Sequence, residues 1–220
     1  MTRTYYIIGA GLIAVVLAAT ALAYPHLPNM VPTHWDAHGN VNGWSARWTL
    51  FTVVPGMMMA MLLLFAALPW LSPKHFEVDA FRSTYLYIMV VILAMMTYLH
   101  ALMLAAGLSW VVDVGRAIEG GVCLLIALLG NVLGKVRRNF YVGIRTPWTI
   151  ANEQVWNATH RFAAKTFFAG GLLGLMVVLL RAPFWLPMTV ILLAALAPVV
   201  HSLVFYKQLE RRGELNGGSI

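Results

Sequence analysis

Six long apolar runs limit what this chain can fold into more than any other feature. Each run is close to the roughly 20 residues that a helix needs to cross the hydrocarbon core of a bilayer. The runs are continuous rather than alternating, which excludes the strands of a membrane β-barrel. We therefore predict an all-α polytopic membrane protein with six transmembrane helices. The predicted spans are Tyr5–Ala23, Leu50–Leu71, Thr84–Leu108, Ala117–Leu133, Phe162–Leu180 and Phe184–Tyr206.

The composition supports a lipid environment. Of the 220 residues, 60% are hydrophobic and 10% are charged, whereas a soluble domain has about 45–50% and about 25%. The first run ends in Ala21-Leu22-Ala23, which looks like a signal-peptide cleavage site. The run is nevertheless long enough to span, so we expect it to be retained as the first helix. Cys123 is the only cysteine; it lies in an apolar run and is expected to pack there.

The distribution of cations predicts the orientation. Six alternating spans place 12 of the 15 Lys and Arg residues on one side and only Arg47, Arg116 and Arg181 on the other. By the positive-inside rule, both termini and residues 135–161 are predicted to be cytoplasmic, and residues 24–49 face outward. The net charge of +7 then reflects topology and contact with anionic lipid headgroups. No direct nucleic-acid binding is expected.

The basic segment, residues 135–161, is too elaborate for a plain connector. Arg145 offers a planar donor fork for a phosphate or a carboxylate, and Pro147 favours an extended residue before it. The alternative is an element that only ties the fourth span to the fifth. The cations of the segment are Lys135, Arg137, Arg138, Arg145 and Arg161, and its aromatic residues are Phe140, Tyr141, Trp148 and Trp156.

Within the basic segment we predict a helix that lies on the membrane surface. It would be capped by Thr149 and would begin near Ile150. Trp148 and Trp156 would anchor it at the headgroup level, which makes it a partly amphipathic surface helix. The residues predicted to share one face, at three- and four-residue spacing, are Glu153, Trp156 and His160.

The 24–49 loop has two interpretations. His34, Asp36 and His38 occupy alternate positions, and imidazole with carboxylate suits zinc or a similar ion. All three would face one way on a strand but not on a helix. The favoured interpretation is a hydrogen-bonded cap at the membrane interface, because indole rings prefer the headgroup level. The tryptophans of this loop are Trp35, Trp44 and Trp48.

Polar residues at membrane depth are candidates for function. We expect Glu119 to be in water or paired with Arg116, three residues away on the same helix. His100 and His201 either hydrogen-bond to neighbours or belong to a proton path. No carboxylate pair and no Ser–His–Asp order is evident, so enzymatic chemistry is not indicated. The residues at depth are His100, Glu119, Asn131 and His201.

The basic segment resembles the C-terminal signature of the SdpI family. The matching residues are the run Asn139-Phe140-Tyr141-Val142-Gly143-Ile144-Arg145-Thr146-Pro147-Trp148-Thr149, the pair Val155-Trp156 and the triplet Thr159-His160-Arg161. The 24–49 loop resembles the DUF1648 region that precedes this signature in the family. The matching residues there are Leu27-Pro28, Pro32, His34-Trp35-Asp36, Gly39, Trp44 and Arg47.

The resemblance implies two regions and two sets of binding residues. Residues 1–71 are the DUF1648-like region, with two spans, and residues 72–220 are the SdpI-like region, with four spans. The implied cytoplasmic set is Asn139, Tyr141, Gly143, Arg145, Thr146, Pro147, Trp148, Trp156, His160 and Arg161. The implied outer set is His34, Trp35, Asp36, Trp44 and Arg47.

The resemblance further implies a non-enzymatic immunity and receptor protein, multi-pass in the bacterial plasma membrane and without a cofactor. Its expected partners are the lipid bilayer, an extracellular peptide toxin and a cytosolic transcriptional repressor. One alternative is a small transporter or lipid-headgroup-binding protein in which Arg145 grips a phosphate. Another is a metal-dependent membrane hydrolase that uses His34, Asp36 and His38.

Overall fold

The computed structural model describes residues 2–36, 38–74 and 76–217. Six of its helices, together with the 3-10 turns that extend some of them, are long and apolar enough to cross a membrane, which confirms the six predicted spans. The helices are α1 (Thr2–Ala23), α2 (Val53–Ala67), α3 (Arg82–Gly107), α4 (Val114–Leu133), α5 (Pro147–Ala151), α6 (Glu153–Leu179) and α7 (Trp185–Arg212).

The start of α6 differs from the prediction. The helix begins at Glu153 rather than at Phe162, because the Asn152 side chain caps it by accepting from the Val155 amide at 3.1 Å. Glu153 lies in its first turn, where a carboxylate stabilises the positive helix end. The predicted surface helix that begins near Ile150 and precedes the fifth span is therefore wrong, because Glu153, Trp156 and His160 belong to α6 itself. The short α5 precedes Asn152, and its cap is Thr146 rather than Thr149.

The membrane-length helices pack in two groups of three. α1 and α2 lie against α3, while α4 and α7 lie against α6; α3 contacts α4 and joins the groups. The α4–α6 contact is close, because Gly171 meets the backbone of Cys123 and Ala127 with no room for a side chain. Cys123 is buried beside Gly174, as its apolar setting predicted.

A β-hairpin between α1 and α2 is the part that the all-α prediction did not contain. Strands β1 (Met30–Trp35) and β2 (Val41–Ala46) pair antiparallel, and the register shifts on both sides of His34. The hairpin base is anchored on the end of α3, where Val31 and Leu27 lie against Gly107 and an added Cβ would clash with Leu27. The buried residues of this contact are Leu27, Val31, Leu50 and Leu104.

Candidate functional site

The hairpin and the basic segment lie at opposite ends of α4, since the hairpin tip touches its first turn and the basic segment follows its last. In the basic segment, the buried Asn139 side chain holds the loop together. Its Oδ1 accepts from the amides of Tyr141 and Val142, both at 2.7 Å. Its Nδ2 donates to the carbonyls of Arg137 at 2.7 Å and Val142 at 3.0 Å. Both acceptor positions of Oδ1 and both hydrogens of Nδ2 are therefore bonded to the loop backbone.

His160 joins this loop to α6. Its Nε2 accepts from the Ile144 amide at 3.0 Å, and its Nδ1 lies 2.8 Å from the Trp156 carbonyl. Because the amide can only donate, Nε2 is the unprotonated nitrogen and Nδ1 carries the hydrogen to the carbonyl. The buried ring also stacks on Trp156, with centroids 4.0 Å apart and an interplanar angle of 18°. The structure thus uses both nitrogens of His160 within the protein.

Two further residues complete this packing. The Trp156 indole donates from Nε1 to the Val136 carbonyl at 2.8 Å. Trp156 is fully buried, so its predicted role as an anchor at the headgroup level is wrong. Gly143 has a φ of +112° and lies directly against His160 Nε2, where a Cβ would collide with the ring. Glycine is required here for its backbone conformation and for the close approach.

The short α5 is fixed by its N-terminal cap and by a contact with α7. Thr146 and Thr149 form a reciprocal capping box, in which the Thr146 amide donates to Thr149 Oγ1 at 2.8 Å. The buried Thr149 hydroxyl donates to the Ile144 carbonyl at 2.9 Å. The Trp148 indole donates to Ser202 Oγ of α7 at 2.7 Å. The half-buried Trp148 therefore ties α5 to α7.

The remaining residues of the implied cytoplasmic set are accessible. Arg145 is exposed and its guanidinium donates to the Phe140 carbonyl. Pro147 and Arg161 are exposed, and Tyr141 is half-buried. The set therefore divides into residues that fix the loop by internal contacts and residues that a second molecule can reach.

The sequence reasoning missed the contribution of the α2–α3 linker to this surface. Phe76 stacks on Phe140 with centroids 4.3 Å apart, and the Arg138 guanidinium lies 5.0 Å from the Phe76 ring centre. Glu77 lines a cavity of about 210 Å³ together with Arg137, Arg138 and Glu153. The aromatic Phe76, set among charged residues of the linker, was the available signal.

In the hairpin, His34, Asp36 and His38 do not converge. The His34 ring is paired with the Asn42 side chain, and His38 lies 4.9 Å from the Phe184 ring. The Asp36 carboxylate accepts from the amides of His38 and Asn40 in its own turn, both at 2.9 Å. β1 ends at Trp35, so strand alternation does not extend to Asp36. Within the described residues, no group of three or more His, Cys, Asp or Glu side chains is arranged to hold a metal ion.

The other residues of the implied outer set have distinct surroundings. Arg47 donates to the Leu27 carbonyl at 3.0 Å and lies 4.5 Å from the Tyr24 ring centre, so it closes the hairpin base. Trp35 is half-buried. Trp44 and Trp48 are exposed by 57% and 58% of their surface. Exposed indoles at the end of a membrane bundle fit the predicted interfacial cap.

The polar residues at depth make local contacts. The buried His100 lies with its Nε2 2.7 Å from the Thr20 hydroxyl, which links α3 to α1. Arg116 forms its salt bridge with Asp113, at 3.3 Å, rather than with Glu119. Glu119 instead lines a cavity of about 260 Å³ under the hairpin tip. His201 stacks on Phe162 with centroids 4.6 Å apart.

Comparison with known proteins supports the resemblance at both ends of the chain. The SdpI/YfhL protein family model matches residues 135–202, and the model of a domain of unknown function, DUF1648, matches residues 11–59. The chain is 26% identical to "Immunity protein SdpI" of Bacillus subtilis (strain 168) over 212 residues, 96% of this chain and 97% of that protein. No solved structure matches the chain.

Gly143→Ala should loosen the basic segment. The substitution forces a non-glycine residue to positive φ, at about 1–2 kcal/mol, and overpacks His160, at about 1–3 kcal/mol more. We expect faster tryptic cleavage after Arg145 in detergent-solubilised protein. Gly213→Ala is the matched control, because Gly213 also has positive φ, +71°, but has nothing near its Cβ position. Equal cleavage in the two variants would show that the contact with His160 has no effect on the loop.

The Asp36 turn should depend on pH. The hydrogen bond from the Asn40 amide, with those from the Asn40 side chain and the His38 amide, holds the pKa of Asp36 below its ordinary value of 3.8. A lowered folded-state pKa stabilises the fold above the unfolded value, and the effect disappears as the pH falls through the folded value. Asp36→Asn should therefore speed hydrogen exchange of the hairpin amides at neutral pH.

The difference between Asp36→Asn and wild type should shrink as the pH falls well below 3.8. Each comparison is made at a single pH, so that the intrinsic exchange rate cancels. Asp79→Asn removes an exposed carboxylate that pairs with Arg82 and should leave hairpin exchange unchanged. A difference that persists undiminished in acid would contradict the role assigned to the carboxylate.

Proposed function

We propose that this chain, which matches the SdpI/YfhL family model over residues 135–202 and is 26% identical to an immunity protein, is a non-enzymatic immunity and receptor protein of the bacterial plasma membrane. It protects the cell from a secreted peptide toxin and recruits a cytosolic transcriptional repressor. The observation that carries the proposal is the similarity to an immunity protein over 96% of this chain, which includes both the hairpin and the basic segment. The DUF1648-like region at 1–71 and the SdpI-like region at 72–220 are the proposed division.

The hairpin end is proposed to face outward and to meet the toxin. The predicted orientation supports this, because 12 of the 15 Lys and Arg residues lie on the other side. The same end exposes large apolar side chains outside the hairpin, with Trp110 65% exposed and Val111 fully exposed in the α3–α4 turn. Clustered exposed indole and aliphatic surface favours contact with an apolar peptide at the membrane interface.

The basic segment is proposed to face the cytoplasm, where its exposed residues contact the repressor. Arg145 is the main candidate, because it is accessible and its guanidinium fork suits a carboxylate on a partner. Pro147 and Arg161, which are exposed, and the half-buried Tyr141 are further candidates. The members of the set that bond or pack within the loop are proposed to hold this surface in shape. These residues are Asn139, Gly143, Thr146, Trp156 and His160.

A non-enzymatic role is supported by the arrangement of the hairpin. The imidazoles of His34 and His38 contact different neighbours, and the Asp36 carboxylate accepts hydrogen bonds from its own turn. These residues are thus proposed to shape the toxin-facing surface rather than to perform chemistry.

Trp44→Ala tests the toxin-facing role. The chain would be expressed in Bacillus subtilis lacking its SdpI immunity protein, and the cells challenged with the toxin that this immunity protein counters. We expect wild type to restore growth and Trp44→Ala to lower the tolerated toxin concentration about tenfold, since an exposed indole in an interface is typical of an energetic hot spot. Trp70→Ala is the control, because Trp70 is 90% exposed at the opposite end. Normal membrane abundance with no protection by wild type would contradict the proposal.

Arg145→Ala tests the signalling role separately. In the protein's own host, exposure to toxin should change transcription in wild-type cells, and this response should be lost in Arg145→Ala cells while protection and membrane abundance remain. Arg212→Ala, an exposed cation at the same end, should keep the response. Loss of membrane abundance in Arg145→Ala would instead assign Arg145 a structural role.

A further inference from the structure

A basic groove lies on the loop side of the bundle, and Arg161 of the cytoplasmic set is one of its lining residues. It has a volume of about 450 Å³ and opens where the end of α4 meets α6 and α7. Arg161 and Lys165 supply its charge from successive turns of α6, and His201 supplies an imidazole from α7. The remaining lining residues are small or apolar: Gly134, Ala158, Phe162 and Ala164.

The groove is placed at the depth of lipid headgroups. The 20 residues from Arg161 to Arg181 rise about 30 Å along a helix, which is the thickness of the hydrocarbon core. Between Lys165 and Arg181, α6 and the turn after it contain no ionisable side chain, and α7 contains none before His201. Lys165 and His201 are therefore the first ionisable groups met on leaving the membrane interior. Lys165, one turn deeper than Arg161, can extend its amine toward the headgroups.

The two cations of the groove lack an acidic partner. None of the salt bridges among the described residues involves Arg161 or Lys165. No acidic side chain lines the groove. Like charges four residues apart on a helix repel each other, so an anion between them is stabilised by both.

The aromatic side of the groove, formed by Phe162 and His201, fits the glycerol and upper acyl carbons of a lipid. His201 stacks between Phe162, at 4.6 Å, and Phe205, at 6.0 Å between ring centres. Its Nδ1 is buried without a hydrogen-bond partner among the described residues. Such an atom costs free energy unless a ligand or water satisfies it. The aromatic and small side chains beside the cations suit the glycerol and upper acyl carbons rather than a hydrated free ion.

We propose that this groove binds the phosphodiester headgroup of an anionic phospholipid, with Arg161 and Lys165 contacting the phosphate. The site shares Arg161 with the proposed repressor surface, but lipid binding there requires neither the toxin nor the repressor. The predicted orientation places it in the cytoplasmic leaflet, where anionic lipids attract basic side chains.

The test uses the full-length protein in detergent and native mass spectrometry. The probes are dioleoylphosphatidylglycerol, dioleoylphosphatidylcholine and inorganic phosphate as a competitor. We expect wild type to bind phosphatidylglycerol about tenfold more tightly than phosphatidylcholine. The double variant Arg161→Gln with Lys165→Gln should bind phosphatidylglycerol about tenfold more weakly than wild type, because losing a hydrogen bond to a charged group has an effect of about this size. The control, Arg211→Gln with Arg212→Gln, removes the same charge from the C-terminal end of α7, outside the groove lining, and should leave lipid binding unchanged.

Two further variants guard against misfolding. Arg161→Lys with Lys165→Arg keeps the charge and should keep binding. Ala158→Phe narrows the groove without changing its charge and should weaken phosphatidylglycerol binding. Unchanged binding in the double Gln variant, or equal loss in both double Gln variants, would overturn the proposal. Displacement of the lipid by an equal concentration of inorganic phosphate would show a soluble-anion site and would also overturn it. If the double Gln variant does not fold, unchanged binding in Ala158→Phe overturns the proposal.

Discussion

The hydrogen bond from the Ile144 amide to His160 Nε2 joins the loop after α4 to the first turns of α6. The loop has little regular secondary structure before α5, so its backbone polar groups need side-chain partners. His160, Asn139 and Thr149 supply them from buried positions. Removing any of the three would leave buried donors or acceptors unpaired, which costs about 1–3 kcal/mol each. The exposed face of the loop keeps its shape because these buried side chains hold its backbone.

This arrangement separates two roles that a sequence motif combines. Residues that recur together in a signature include those that shape a surface and those that contact a partner. In this chain, Gly143 and Trp156 have no accessible side-chain surface for a partner, whereas Arg145 does. Substitution of Gly143 would therefore act through loop geometry, and substitution of Arg145 would act at the surface itself.

The membrane helices were predictable because crossing lipid requires long uninterrupted apolar segments. The errors lie at the polar ends of these helices. The fifth span was predicted to begin at Phe162 because hydropathy falls across residues 153–161. The helix continues there, because the Asn152 cap and the buried Trp156 and His160 stabilise it by tertiary contacts. A fall in hydropathy marks where a chain leaves the lipid, whereas a helix can continue beyond that point.

The hairpin was unpredictable for a related reason. Its strands are short and interrupted by Pro32 and Gly43, and their register shifts on both sides of His34. Such strands carry a weak alternating signal, and their stability comes from packing of Val31 and Leu27 on the end of α3. The end of β1 at Trp35 and the register shifts beside His34 explain why the alternate spacing of His34, Asp36 and His38 did not produce a common face.

α4 contacts both candidate surfaces. At its start, the backbones of Gly39 and Gly115 pack together so closely that a Cβ at Gly115 would lie 3.0 Å from Gly39 Cα. At its end, the chain passes through Gly134 and Val136 into the loop, and the Val136 carbonyl accepts from Trp156. A backbone-to-backbone contact has no flexible side chain to absorb a displacement of the hairpin tip. Communication between the two ends would therefore require two positions of one continuous helix rather than a relay of side-chain rotamers.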